Sequence, residues 1–376
     1  MRRSRFIFLA AILLAVAALS CQRRPLEYMY QPTVRTIVKI IWKVNLDAQV
    51  DIREKPTGVT LYFFRNDKYY NSFTTANVDS CEVQLEPGRY KMYMISQSPE
   101  EFWKMEFDHM TDYNAAETQL RESNVTWTRG VEDITVENPE ILYAGVAEEF
   151  EVTDEMMEDY QYYYTRLRRL QAANSGDTKV GSDIDGDQTY YEEQVRYHTL
   201  TIPVYPSNIV SQLWITIYSG NADVLKSVRA STSGMARSFE LTQDTQGTDK
   251  ATQIMSEWRL TMDDPERRVG HVDGIITTFG LPGGEYPTPQ RDSSLNVSAL
   301  LVDNATVANY KFEVGDKIRM LPPNPGYRAL YRLIFGSVEE PSITPPDVKP
   351  SDGSTASGMD ATVSEWEEGQ TVEVPM

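Results

Sequence analysis

The sequence predicts a mainly β protein of sandwich type, with one helix between two β-rich halves. Three observations carry this. From Val34 onward, short runs of β-branched and aromatic residues break at Gly, Pro, Asn and Asp, the pattern of strands. Only Met156 to Leu170 repeats apolar residues at helical spacing. The length of 376 residues suggests two domains, and a hydrophobic content of 41% suffices for a core in each.

Taken in order, residues 34–44 form the first strand, rich in Val34, Thr36, Ile37, Val38, Ile40 and Ile41. Residues 59–64 and 69–75 flank Asn66-Asp67, a pair suited to a tight hairpin. Residues 81–85 and 90–96 flank Glu86-Pro87-Gly88-Arg89, where Pro presets the first turn position and Gly accepts positive φ at the second. This reads as the clearest hairpin in the chain. Cys81, Val83 and Leu85 share one face before the turn, and Tyr90, Met92 and Met94 share one after it. One buried and one solvated face per sheet suits a sandwich. After a stretch of weaker pattern, residues 141–145 and 150–152 close the first half.

Met156, Tyr160, Tyr163, Leu167 and Leu170 then predict the helix. Thr153 caps it, Asp154 and Glu155 sit in its first turn, and Arg166, Arg168 and Arg169 lie toward its end, all favourable to the helix dipole. The competing reading is a strand, from Tyr162-Tyr163-Tyr164. Residues 172–189 read as a polar loop. Strands resume over 197–205 and 209–218, separated by Pro206, and continue at 238–242, 257–262, 274–279, 295–302 and 310–314. Residues 341–358 are rich in Pro, Ser, Gly and Asp and read as flexible, before 361–366 and 371–374 recover alternation around Glu368-Gly369. The expected organisation is a signal peptide at 1–20, a tether at 21–33, an N-terminal sandwich at 34–152, helix and polar linker at 153–194, and a C-terminal sandwich at 195–376 with a flexible segment at 341–360.

The N-terminal assignment rests on Arg2, Arg3 and Arg5, the apolar run Phe6 to Ala18 and the small exit residue Ser20. The run is short for a membrane span, which needs about 20 apolar residues. Ala18-Leu19-Ser20-Cys21 resembles the lipobox of bacterial lipoproteins, with Ala18 where Leu is usual. That resemblance implies cleavage before Cys21 and acylation of its thiol. By the same resemblance, Gln22 after the cysteine implies the outer membrane, at its periplasmic face or the cell surface. An ordinary cleaved signal is the alternative.

The formal net charge is −19, and removal of the three signal arginines makes the chain three units more negative. No long Lys/Arg cluster accompanies it, which excludes nucleic acid as a partner. With Cys21 acylated, only Cys81 remains, so no internal disulfide forms. Cys81 alternates with Val83 and Leu85 and reads as a buried hydrophobe; a nucleophile would need an exposed thiolate beside a base.

His109, His198 and His271 have no metal-motif spacing, and no G-x-S-x-G elbow, phosphate loop or H-E-x-x-H occurs. No catalytic residue and no cofactor beyond the lipid is expected, and the chain is not read as an enzyme. Asp183, Asp185 and Asp187 alternate like the first half of a calcium loop, but Gln188 and Gln194 stand where Gly and a bidentate Glu belong. The other reading is a solvated acidic loop. Six Trp and 22 Tyr make sugar stacking conceivable, yet Trp42, Trp214 and Trp258 lie inside strand patterns and read as core.

Several segments together resemble the fimbrillin-like lipoproteins of Bacteroidetes, which include fimbrial anchor and accessory proteins. They are Leu61 to Phe64, the turn from Leu85 to Tyr90, Leu142-Tyr143-Ala144-Gly145 leading to Phe150-Glu151-Val152, Val228 through Ser233-Gly234-Met235-Ala236, Thr277 to Gly280, and Val363 to Trp366 with Gly369. The resemblance implies two transthyretin-like sandwiches in tandem on a lipid anchor. It also implies a structural or adhesive role in fimbria anchoring, assembly or cell adhesion, with fimbrial subunits as partners through strand addition, and no enzyme activity. Nothing marks the N-terminal cleavage on which polymerising fimbrillins depend, so an anchor or accessory role fits better than a shaft subunit. The alternative is a glycan-binding outer-membrane lipoprotein for nutrient capture.

Overall fold

The structure, a computed structural model, describes residues 32–42, 55–124, 134–174, 183–284, 293–321, 326–351 and 370–373. Cys21 and the strand expected at 361–366 lie outside them. The chain is mainly β and divides into two compact units.

The smaller unit comprises, among the described residues, 32–35, 84–87, 152–174 and 183–199. Two helices dominate it, α1 (Asp154–Asn174) and α2 (Asp183–Tyr197). The expected helix is α1. The Met156 backbone N–H donates to Thr153 Oγ1 at 3.2 Å, and Met157, Tyr160 and Leu167 form its buried face. The second helix replaces much of the expected polar loop and takes in Tyr197, which had been read as strand. Its anchor is aromatic: Tyr163 of α1 stacks on His198 at 4.9 Å and meets Tyr191 of α2 at 6.3 Å, with Val195 buried nearby in sequence. A Gly and three Asp at the start hid a helix that contacts with α1 stabilise.

Among the described residues the strands form five sheets, built mainly from the larger unit. The first orders β11 (Leu200–Val204), β1 (Val34–Ile40) and β4 (Ser80–Leu85). The second orders β12 (Ser207–Asn208), β9 (Tyr143–Val146), β5 (Gly88–Ser96), β2 (Val59–Arg65) and β3 (Lys68–Thr75), with β10 (Phe150–Val152) also on β5. The third orders β16 (Thr245–Gln246), β15 (Ser238–Glu240), β7 (Glu117–Leu120) and β6 (Met105–Asp108). The fourth orders β24 (Gln370–Glu373), β21 (Thr306–Glu313), β20 (Ser294–Leu301), β14 (Leu225–Ala236), β17 (Lys250–Met255) and β8 (Thr135–Val136). The fifth orders β18 (Trp258–Asp264), β19 (Val269–Thr278), β13 (Ser211–Ser219), β23 (Leu330–Phe335) and β22 (Arg319–Leu321).

The Asn66-Asp67 turn forms as expected: both residues take positive φ, 51° and 63°, and β2 pairs antiparallel with β3 up to Arg65 opposite Lys68. The Pro87-Gly88 corner behaves differently. Strands β4 and β5 belong to different sheets, so the segment is a crossing between sheets and not a hairpin. The burial pattern explains why. In β2, Val59 to Phe64 are buried without a break, and in β5 Met92 to Ser96 are as well. The second sheet is thus buried on both faces in its centre, as continuous apolar runs require, and a neighbouring layer must cover the side that was expected to meet water.

Two cores can be traced among the described residues of the larger unit. One lies between the fourth and fifth sheets, with Leu213, Ile215 and Leu333 on one side and Ala230, Val297 and Tyr310 on the other. The other joins Tyr62, Phe64, Tyr93 and Ile95 to Met105, Leu120, Phe239 and Phe279. Strands from late in the chain complete early sheets: β11 runs parallel to β1, with Thr36 opposite Leu200 and Ile40 opposite Val204, and β12 pairs with β9. Gly145 permits the latter, since a Cβ there would lie 2.9 Å from the Pro206 Cα. Ser233-Gly234 marks a bulge in β14, where the register shifts between Thr232 and Met235 and Gly234 has φ 73°.

Residues 341–351 differ from the loose linker expected. Ile343 is buried in the core and bridges to Ser219, Asn221 Nδ2 donates to the Pro345 carbonyl at 3.0 Å, and Arg268 pairs with Asp347 at 2.8 Å. The apolar side chains among the prolines of this segment pack, so its composition misled.

Candidate functional site

The fourth sheet ends on a strand that follows a long interval in sequence. Strand β24 lies parallel to β21, with Thr306 opposite Gln370, Val307 opposite Thr371, Ala308 opposite Val372 and Asn309 opposite Glu373. Strand β21 alternates in burial, with Ala308, Tyr310 and Phe312 turned to the core. Its inner side is paired along its length with β20, from Ser294 opposite Glu313 to Leu300 opposite Val307. The outer side carries the main-chain donors and acceptors that β24 meets. Among the described residues, Tyr310 to Glu313 lie beyond the last partner that β24 supplies. This arrangement is an edge that accepts a strand by backbone hydrogen bonds, a contact that depends little on side-chain identity.

The anchor beneath the edge is apolar. Phe312 meets Phe335 at 4.3 Å between ring centroids, and Tyr310 is buried with its hydroxyl lacking a partner among the described residues. Burial pushes the Tyr310 phenol up to about 12.

Strand β3 is a second long edge, paired among the described residues with β2 alone and exposed over much of its length. Its β2 partner carries a register shift between Phe63 and Phe64, and Lys68 begins it; bulges and edge lysines discourage strand addition.

Other sequence candidates fall elsewhere. Cys81 is buried and free, and burial followed by the nearby Glu82 carboxylate raises its thiol pKa, as befits a packed hydrophobe. The backbone at Asp183, Asp185 and Asp187 is helical, whereas a calcium loop wraps alternate oxygens around the ion. Among the described residues no group of three His, Cys, Asp or Glu is placed to hold a metal. His271 bridges two strands, with Nδ1 2.6 Å from Asp263 and Nε2 3.1 Å from Asp273, which also accepts from Thr216 Oγ1 at 2.6 Å. Each ring nitrogen thus faces its own carboxylate. Among the described residues no helix is long and apolar enough to cross a membrane.

The tryptophans divide. Trp258 packs against the core between the fourth and fifth sheets, and Trp42 is partly buried, donating from Nε1 to the Val78 carbonyl at 3.0 Å. Trp214 is the exception to the expectation of a core residue: it lies on the outer face of the fifth sheet, 36% exposed. Strand phase explains it, because Leu213, Ile215 and Ile217 take the buried positions of β13. Gln212, Thr216 and Tyr218, in phase with the tryptophan, were the overlooked signal.

Residues 20–256 match the family model described as a domain of unknown function, DUF5119. No curated protein matches the chain in sequence. Among solved structures, a candidate adhesin from Bacteroides ovatus aligns with a TM-score of 0.51 at 14% identity, covering 88% of this chain and 98% of that one. The fimbrial anchor protein Mfa2 from Porphyromonas gingivalis aligns at 0.42 and 8% identity, covering 80% and 90%. A candidate polysaccharide-binding protein from Bacteroides thetaiotaomicron aligns at 0.41 and 12%, covering 71% and 76%. The first of these likenesses establishes a shared fold over nearly the whole of both chains.

Proposed function

We propose, from the premise that the chain belongs to the DUF5119 family, that it is a fimbrillin-like protein of the cell envelope that binds a partner subunit by strand exchange at the β21 edge. The observation that carries this reading is the short β24 strand, four residues long, seated in parallel on an edge strand that extends past it. A short strand is displaced by a longer one that forms more main-chain bonds on the same edge. The likeness in fold to a candidate adhesin supports a structural or adhesive role, which we assign to an anchor or accessory subunit in fimbria assembly. Two transthyretin-like sandwiches in tandem and attachment to the outer membrane through an acylated Cys21 complete the proposal.

Deletion of residues 359–376 tests it. The truncated protein is expected to fold, because the core described between the fourth and fifth sheets is built from residues between Leu213 and Ile343. It should also change its capture of fimbrial subunits in co-purification, since the edge is left open. A truncated protein that folds, assembles and binds like the full chain removes the exchange role. Mass spectrometry of the mature N-terminus tests the anchor separately: an unmodified Cys21 removes it.

A further inference from the structure

The outer face of the fifth sheet carries an arrangement that folding alone does not explain. In one row across three strands, Trp214 of β13 lies opposite Arg332 of β23, and Arg332 lies opposite Arg319 of β22. All three are exposed. On its other side Trp214 faces Ile275, which is 51% exposed, and Ile334, 48% exposed, follows Arg332 on the same face. The indole N–H donates to Gln212 Oε1 at 3.1 Å, which ties the ring to its own strand.

Two features set the row apart. Like charges directly opposite in an antiparallel pair are destabilising, and neither Arg319 nor Arg332 has a carboxylate partner among the described residues. The chain is also strongly acidic, with a formal net charge of −19, so carboxylates that would neutralise such a pair were plentiful. An exposed aromatic platform beside two guanidiniums that no described carboxylate pairs is complementary to a ligand with one flat apolar face and one anionic group.

We infer that the Trp214–Arg332–Arg319 row binds an anionic saccharide, with a pyranose ring stacked on the Trp214 indole and its carboxylate or sulfate held by the two arginines. Adjacent strands lie about 4.8 Å apart, so one ring placed over the indole sets its substituent above Arg332. An acidic peptide fits less well. Strands β13 and β23 are interior to the sheet, their main-chain groups are already paired with neighbours, and the face presents side chains only. The row lies on the fifth sheet and the β21 edge on the fourth, so the arginine and tryptophan variants test one reading and removal of residues 359–376 the other.

The test uses the full-length protein on an array of uronate-containing, sialylated, sulfated and neutral glycans, followed by calorimetric titration with galacturonate oligomers, their neutral galactose counterparts and poly-glutamate. Binding to at least one anionic class is expected, weakened by salt and about tenfold or more weaker in Arg332→Gln and Arg319→Gln. Trp214→Ala should weaken it similarly at unchanged Tm; if that variant loses stability, Trp214→Phe and the exposed arginine variants decide. No anionic hit, equal affinity for neutral counterparts, or affinity that survives both arginine substitutions overturns the assignment. So does poly-glutamate binding that is insensitive to Trp214.

Discussion

Tyr310 illustrates how a single buried polar atom marks a point of strain. Its hydroxyl has no partner among the described residues, and a buried group left in that state costs about 1–3 kcal/mol. Tyr310→Phe is therefore expected to leave stability at neutral pH unchanged or to raise it by about 1 kcal/mol, read as a higher Tm. The same residue shapes the alkaline limb. Burial holds Tyr310 up at about 12, and Tyr62 is likewise raised to about 12 by burial, then by Glu100 and Tyr69. A phenol whose folded pKa exceeds its unfolded value contributes stability that is fully present below about pH 10 and is lost as pH rises toward 12. Thermal melts from about pH 8 upward should show Tm falling most steeply in that window, less so in Tyr310→Phe. A Tm that stays flat to pH 12, or a variant indistinguishable from the parent, counts against it. At this scale the sequence was legible in part: Cys81 was read correctly from its phase with Val83 and Leu85, whereas Trp214 was misplaced although the same phase argument applied to it.

Elements were legible where local chemistry is strong and obscure where neighbours decide. The Asn66-Asp67 turn and the start of α1 follow from residues within a few positions, and both form as read. Thr153→Ala should cost about 1 kcal/mol through loss of the cap on Met156, measured by denaturant midpoint; a change below a few tenths would show that tertiary contacts hold the helix start without it. Strands β14 and β17 pair with each other and lie within the fourth sheet, yet β17 gave no clear strand signal, because Thr252 and Gln253 are polar residues buried by their partners. Helix α2 is the sharpest case. Its acidic start read as a solvated acidic loop, with an ion-binding loop as the lesser reading; in the helix Asp183 and Asp187 stand one turn apart. Titration with millimolar calcium is accordingly expected to yield no heat and no change in Tm, and a saturable exotherm would restore the loop reading.

At the scale of the larger unit, the question is whether two tandem sandwiches fold as two. Strand pairing argues that residues 34–152 do not suffice. Strand β1 draws β11 from residues 200–204, β9 draws β12 from 207–208, and β7 draws β15 from 238–240. The core around Tyr62 and Phe64 also contains Phe239 and Phe279, with Phe239 fully buried, 6.0 Å from Phe279 and capped by Arg328 at 5.0 Å. This coupling was invisible in the sequence because every pairing it involves is non-local, and composition carries no record of which strand closes which sheet. It has a measurable consequence. A fragment spanning residues 34–152 would expose the edges of β1, β7 and β9 together with half of a core, and should be unfolded or aggregated by circular dichroism and light scattering. Phe239→Ala in the full chain should cost about 3–5 kcal/mol, the usual penalty for emptying a buried aromatic site, and should lower a single calorimetric transition. Two resolved transitions, of which Phe239→Ala moves only the one assigned to residues 195–376, would instead establish independent folding of the halves, and would leave the late strands as a seam formed after both are complete.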